Sequence, residues 1–446
     1  MFGKINLKGD LFASLVTFAG VAIARFGSSL ILTRILVPEA YGIITILMSV
    51  SFTVSMLSDV GTFPAIVRAP KGDDPDYLNT VWTIRFMRAV FNAAVMYLSA
   101  PLVAHIFATP VLRAPLQVLA LWFLIDGLES NAFPLAARRR NTRIVVYSDL
   151  AATILSTAFT IAYCYVTRTF WGMLYGVLLN RALYVSFSYL FYRDSRPRFR
   201  FDRVAAREVF QFTRYVMPSS MLTLVLTQFD KAVFLRFFDL RLLGIYGVAN
   251  NITGQTESLI SRTSEMVIYP RCAHNFRENP GTFARSYYTE NIRVFAVTAG
   301  MVAAIGGAAH LIIAVLYDPR YAQAGDVLQA LMLRAAIACI ANPAENMLMA
   351  ASGSKVILVG SILRAISLVC ASVVGFYVGG FVGFIYGMSL SALVPLFYYF
   401  SRQLKLGVPV IRYESYRILY MACVALAAFL SCRLLVAVFH VSRIRI

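Results

Sequence analysis

Charged side chains are scarce in this chain: Asp, Glu, Lys and Arg make up 14% of its 446 residues, against about a quarter in soluble domains. Acids are the scarcer sign, with 22 Asp and Glu against 41 Lys and Arg, and there are only four histidines. No P-loop, nucleophile motif or metal-ligand spacing occurs, which argues against an ATP-driven or catalytic role and offers no cofactor a site. The cysteines Cys164, Cys272, Cys339, Cys370, Cys423 and Cys432 are dispersed, mostly within apolar runs. They suggest neither a disulfide framework nor a metal site and read as packing residues. Met1 to Asp10 lacks the apolar core and cleavage site of a signal peptide, so the first apolar run is expected to stay in the mature protein. No polar stretch is long enough to fold as a soluble domain.

Apolar residues fill the space the charges leave, at 59% of the chain and a mean hydropathy of +0.69. Apolar runs lie at 11–33, 42–66, 81–107, 115–136, 145–167, 171–192, 211–237, 242–268, 291–316, 326–350, 355–378, 381–401 and 416–439. At roughly 20 residues per crossing, these are about thirteen spans. The runs 211–237 and 242–268 carry many polar groups. None alternates with period two, which excludes a membrane barrel. Helices are the remaining way to satisfy the backbone in lipid, so the expected class is an all-α polytopic membrane protein of 12–13 helices.

The net charge of +19 raises nucleic acid as a partner, but its placement points elsewhere. With the N-terminus cytoplasmic, the inner side collects Lys4, Lys8, Arg68, Lys71, Arg138-Arg139-Arg140 and Arg143. It also collects the cluster Arg193, Arg196, Arg198, Arg200, Arg203 and Arg207, then Arg271, Arg277, Arg285, Lys355, Arg402, Lys405, Arg412 and Arg417. About 22 basic residues then face the cytoplasm and about nine face out, the positive-inside asymmetry. These loops orient the chain and can touch anionic phospholipid headgroups. None sits on a soluble module that could grip nucleic acid.

The longest polar connector, Arg193 to Glu208, divides the chain near its middle, and local patterns recur on either side of it. Leu32-Thr33-Arg34 and Tyr41-Gly42 are matched by Leu235-Arg236 and Tyr246-Gly247. His105, Pro110 and Leu116-Gln117-Val118-Leu119 are matched by His310, Pro319 and Leu328-Gln329-Ala330-Leu331. The offset stays at about 202–212 residues, as in a parallel repeat about the membrane normal with the substrate site between the halves. The expected organisation is a six-helix lobe at 1–193, a basic cytoplasmic connector at 194–210, a second six-helix lobe at 211–405 and a peripheral extra helix within 406–446.

Ionisable residues inside spans are costly and usually face a bundle interior or a wet cavity. Those deep in the runs are Arg25, Asp59, Asp126, Glu129, Arg181, Asp230, Lys231, Glu257, Arg262, Glu265, Arg334, Glu345 and Arg364. Arg85, Arg88, Arg214 and Arg293 lie nearer the ends, where snorkelling is the simplest reading. Asn250, Gly254, Glu257, Ser261 and Glu265 fall on one helical stripe that lipid would not tolerate. Arg262 and Glu265, three apart, could instead neutralise each other. Arg25 either pairs with an acid such as Asp59 or presents its charge to a cavity. A cavity walled by Arg25, Lys231, Arg262, Arg334 and Arg364 would attract a pyrophosphate headgroup, because guanidinium matches phosphate oxygens bidentately.

Arg34-Ile-Leu-Val-Pro38-Glu-Ala-Tyr41-Gly42, followed by Ser58-Asp59-Val-Gly61 and by Ala137-Arg138-Arg139-Arg140-Asn141, resembles the bacterial polysaccharide and O-antigen flippases. These belong to the multidrug/oligosaccharidyl-lipid/polysaccharide exporter superfamily. The resemblance implies a two-lobed, V-shaped transporter of the bacterial inner membrane that turns an undecaprenyl-pyrophosphate-linked oligosaccharide to the outer leaflet by alternating access. It places Arg25, Lys231 and Arg262 among the cavity cations. Asp59, Glu257 and Glu265 are candidate acids for H⁺ or Na⁺ coupling, and a polysaccharide polymerase and glycosyltransferases are candidate partners. A multidrug or small-solute antiporter of the same fold is the alternative, disfavoured by the basic excess. A membrane polymerase or ligase would need a long outward loop, and the expected outward connectors are short. Pro38 and Tyr41-Gly42 read as structural: proline ends the first helix and glycine allows a tight turn into the second.

Overall fold

Helix follows helix along the chain, and no strand occurs among the described residues. The computed structural model describes residues 7–62, 66, 69, 72–107, 109–138, 143–190, 197–278, 283–352 and 354–438. The basic residues Lys4, Arg68, Lys71, Arg139, Arg140, Arg193 and Arg196 of the orienting set lie outside them. Contacts divide the chain into two units, Met1–Leu240 and Arg241–Ile446.

The first unit holds α1 (Leu7–Ile35), α2 (Pro38–Leu57), α3 (Pro75–Ile106), α4 (Arg113–Gly127), α5 (Ala132–Arg138), α6 (Arg143–Thr167), α7 (Trp171–Leu190) and α8 (Arg203–Phe237). Helix α3 packs along α4, α6 along α7 and α1 along α6. The sequence expectation starts its second lobe at residue 211, yet α8 lies in the first unit, against α2 and α3. Polar tethers explain that placement. Thr213 Oγ1 donates to the Val60 carbonyl at 3.0 Å, Ser220 Oγ to Asp59 at 3.0 Å, and Ser49 Oγ to Gln228 at 2.7 Å.

The second unit holds α9 (Leu240–Thr263), a π turn at Ser264–Ile268, α10 (Tyr269–Glu278), α11 (Phe283–Gly307), α12 (Ala309–Leu316), α13 (Ala324–Ser352), α14 (Ser354–Leu390), α15 (Leu393–Lys405) and α16 (Val410–Val438). The expected span 291–316 is broken by 67° between Gly307 and Ala309. Gly306-Gly307 closes the first piece, and Gly307 lies against the Ala425 backbone of α16, where a side chain would collide. The runs 355–378 and 381–401 are two helices joined by a reversal at Gly379-Gly380, with Gly380 at φ +57°, and the second run continues past Leu390 into α15. Gly375 and Gly383 face each other across the reversal, and small residues there let the two backbones meet. The last helix is more than an isolated extra span. It packs along α11, where Tyr420 Oη donates to the Ala296 carbonyl at 3.0 Å.

Seven stretches among the described residues are long and apolar enough to cross a bilayer, and the bent pair at 291–316 makes up to eight. Helices α8 and α9, the polar runs, are not among them. The chain is a multi-pass membrane protein. The described cysteines form no disulfide with one another, and Cys164, Cys272 and Cys339 are buried; the Cys432 side chain lies outside the described set.

Two details correct the local reading. Pro38 opens α2 behind an extended Val37, as expected of proline in a first turn. Gly42, however, is helical. A Cβ there would overlap the Leu240 carbonyl oxygen, so its role is close approach. Gly42→Ala should therefore lower stability by about 1–3 kcal/mol through overpacking, read as a lower thermal midpoint of the detergent-solubilised protein.

Candidate functional site

Helix ends decide where several acids sit. Helix α2 stops at Leu57, so Asp59 lies in the turn after it, not inside the span as read from hydropathy. Its Oδ1 accepts the Gly61 amide at 3.0 Å and Arg88 Nη1 at 3.3 Å. Gly61 has φ +65°, a conformation that favours glycine. Arg88 is thus a cationic partner of Asp59, and of the two readings of Arg25 the pairing with Asp59 is not formed. Helix α4 likewise stops at Gly127, and Glu129 occupies a buried break before α5. Exposed backbone is untenable at that depth, and here it is satisfied. Trp82 Nε1 donates to the Glu129 carbonyl at 3.1 Å, and Ser188 Oγ accepts the Ser130 amide at 3.1 Å. Asn131 Nδ2 donates to the Leu78 carbonyl at 2.8 Å.

That break is the centre of a four-charge cluster. Arg85 of α3 reaches Glu129 at 2.7 Å and Asp126 at 3.8 Å, and Arg181 of α7 binds both carboxylates. The Arg181 guanidinium also lies over the Tyr184 and Trp122 rings, at 5.1 and 5.7 Å from their centroids. Sequence reasoning noted these charges but left them out of the site and read Arg85 and Arg88 as snorkelling. The spacing was only a partial signal: Arg85 and Arg88 lie three apart, as do Asp126 and Glu129, but Arg88 pairs with Asp59 and Glu129 stands beyond the end of α4.

Two cations of the expected site lie in the first unit. Arg25, on α1, is exposed, and no carboxylate pairs with it among the described residues. Lys231, on α8, donates to the Thr227 carbonyl at 2.9 Å and to Gln228 Oε1 at 3.2 Å. The preceding Asp230 is buried, consistent with neighbours pointing about 100° apart on a helix.

The other expected residues lie in the second unit, three of the cations and acids among them in pairs. Arg334 of α13 grips Glu257 of α9 with two bonds, Nε at 2.7 Å and Nη2 at 3.2 Å. Arg364 of α14 reaches Glu345 of α13 at 3.4 Å. Arg262 and Glu265 are exposed. Glu265 stands in the π turn and accepts the Ser261 hydroxyl at 2.9 Å. The polar stripe on α9 therefore finds at least one partner within the unit, through Glu257. Exchanging that pair tests its role. Arg334→Glu alone should cost about 1.5–3 kcal/mol, the worth of charged hydrogen bonds, and the double change with Glu257→Arg should restore most of the melting temperature. Arg417, expected among the headgroup-facing charges, is instead buried. It pairs with Glu414 at 2.9 Å and lies over the Phe295 and Tyr288 rings at 4.5 and 4.7 Å.

Comparison with solved structures finds the same fold. An inward-facing multidrug resistance MATE family transporter of the MOP superfamily superposes with a TM-score of 0.66 at 14% identity, covering 88% of this chain and 99% of that one. The lipid II flippase MurJ, in an inward closed conformation, gives 0.66 at 13% identity over 94% and 98%. Among curated proteins, the amylovoran biosynthesis protein AmsL of Erwinia amylovora is 21% identical over 57% of this chain and 66% of its own length. The succinoglycan biosynthesis transport protein ExoT of Rhizobium meliloti is 21% identical over 58% and 52%. The chain thus spans about half to two thirds of the relatives it matches. A family model described as "Polysaccharide biosynthesis protein" matches residues 31–326, and the chain belongs to that family.

Proposed function

We propose that the protein is a flippase rather than an enzyme, moving an undecaprenyl-pyrophosphate-linked oligosaccharide across the bacterial inner membrane by alternating access. The observation that carries the reading is the state of its cations. Arg85, Arg88, Arg181, Arg334 and Arg364 each meet a carboxylate. Arg25 and Lys231 meet none among the described residues. Cations left without an acid at membrane depth suit a phosphate-bearing headgroup. Relatives named for amylovoran and succinoglycan biosynthesis, and the fold shared with a lipid II flippase, support the same substrate class.

In this reading Arg25, Lys231 and Arg262 contact the pyrophosphate and glycan, with the Arg334–Glu257 and Arg364–Glu345 pairs exchanging partners as the substrate passes. Glu265 is the favoured coupling acid over Asp59 and Glu257, which arginines already hold. The N-terminus is cytoplasmic, and glycosyltransferases and a polymerase act before and after transport.

The test is reconstitution in liposomes with a fluorescent prenyl-pyrophosphate oligosaccharide and an impermeant quencher. The protein should expose the inner-leaflet half of the label to the quencher. A label that stays protected, in vesicles that extrude a cationic drug under a proton gradient, would establish the antiporter instead.

A further inference from the structure

Gln228 is the side chain of the candidate site whose chemistry the residue types alone do not explain. It sits on α8 one turn before Lys231, half-buried, and its carboxamide oxygen takes two donors at once: Ser49 Oγ of α2 at 2.7 Å and Lys231 Nζ at 3.2 Å. A carboxamide carries two N–H donors on the nitrogen beside its oxygen, in one plane with it. Fixing the oxygen against α2 and Lys231 therefore also fixes where the two N–H groups stand. No described residue accepts them. Lys231 has three protons, of which one goes to the Thr227 carbonyl and one to Gln228. Three N–H bonds, two neutral and one cationic, are thus left within one helical turn with no acceptor.

We propose that Gln228 is a second diphosphate-binding donor beside Lys231, and that Ser49 is the positioning residue that sets its amide. Donors without a neighbouring acceptor select a ligand that is all acceptor, as the oxygens of a diphosphate are and a sugar hydroxyl is not. A free ammonium is a point charge that holds phosphate without defining its orientation. The fixed amide beside it adds direction, and Ser49 links that direction to α2, so ligand and helix packing are read by the same group. The proposal rests on the flippase reading of this site.

Binding of inorganic pyrophosphate and of a short prenyl diphosphate to the purified, reconstituted protein tests it, with the melting temperature of each variant as the control for folding. Gln228→Leu should weaken both probes by about tenfold, the worth of one hydrogen bond to a charged group. Gln228→Glu should weaken them further, because its carboxylate would neutralise Lys231. Ser49→Ala should weaken both by about threefold, and Ser49→Thr, which keeps the hydroxyl, should recover the parent value. The proposal is overturned if Gln228→Leu binds both probes as the parent does while Lys231→Met loses them, an outcome that leaves the flippase reading standing. Loss of the prenyl probe alone would also overturn it, since the amide would then be reading the lipid. A parent that binds neither diphosphate removes the flippase reading and the proposal together.

Discussion

Glu129→Leu should leave little folded protein in the membrane. The Glu129 carboxylate is 8% exposed and is shared by Arg85 and Arg181, with Asp126 as the second acid of the cluster. Deleting it leaves two guanidinium groups on one carboxylate, and removing one partner of a buried ion pair costs about 3–5 kcal/mol. That is a large part of the roughly 5–15 kcal/mol by which folded proteins usually exceed the unfolded state. The backbone around Glu129 makes the loss harder to absorb, because the break between α4 and α5 is pinned by Trp82, Asn131 and Ser188 and has little freedom to close around a leucine. The measurement is the monodisperse yield and thermal midpoint after detergent extraction. Glu129→Asp keeps the charge on a shorter arm and should fall between leucine and the parent. A leucine variant that melts with the parent would show the cluster to be incidental to stability.

Arg25→Ala is expected to do the opposite: the fold survives and transport is lost. Arg25 is exposed, and no carboxylate pairs with it among the described residues, so its removal strands no buried acid. Losing a bidentate contact to a phosphate forfeits one or two charge-assisted hydrogen bonds. At about 1.5–3 kcal/mol each, that is a drop in flux of roughly tenfold for one weak bond and up to about 10⁴-fold for two strong ones. The assay is the liposome protection experiment with matched amounts of folded protein. Arg25→Lys should recover only part of the rate, since an ammonium keeps the charge but not the fork of donors. Full flux from Arg25→Ala would remove α1 from the substrate path. Together the two variants separate charges that hold helices from charges that hold cargo.

The spans were legible because hydropathy reports burial in lipid directly. Their ends were not, since a break that is buried and hydrogen-bonded looks apolar from outside. Hence Asp59 and Glu129 were placed inside helices, whereas both stand in turns beyond α2 and α4. Gly42 was legible as a constrained position, but the constraint comes from Leu240, 198 residues on, and no local rule could supply it. The same limit applies to the charges. The residue types said that Arg334 and Glu257 needed partners at membrane depth; that they need each other is a fact of packing between α9 and α13. Arg417 shows the converse, a basic residue beside a loop that packing draws inward onto Glu414 and two tyrosines. Of the opening motif, only the helix start at Pro38 is a local requirement, met within a few residues.

The cluster around Glu129 also constrains the order in which the chain can be built. Synthesis delivers Arg85 on α3 first, the acids Asp126 and Glu129 about 40 residues later, and Arg181 last. At roughly 5–20 residues per second, Arg85 waits about 2–8 s before its counter-charges exist. An arginine at the bilayer centre costs about 2.5–3.5 kcal/mol on insertion scales. The Arg85 charge on α3 is therefore met only when Asp126 and Glu129 arrive, and the two acids carry an excess of negative charge until α7 supplies Arg181. The charges of the set balance only once α3, α4 and α7 have all been made.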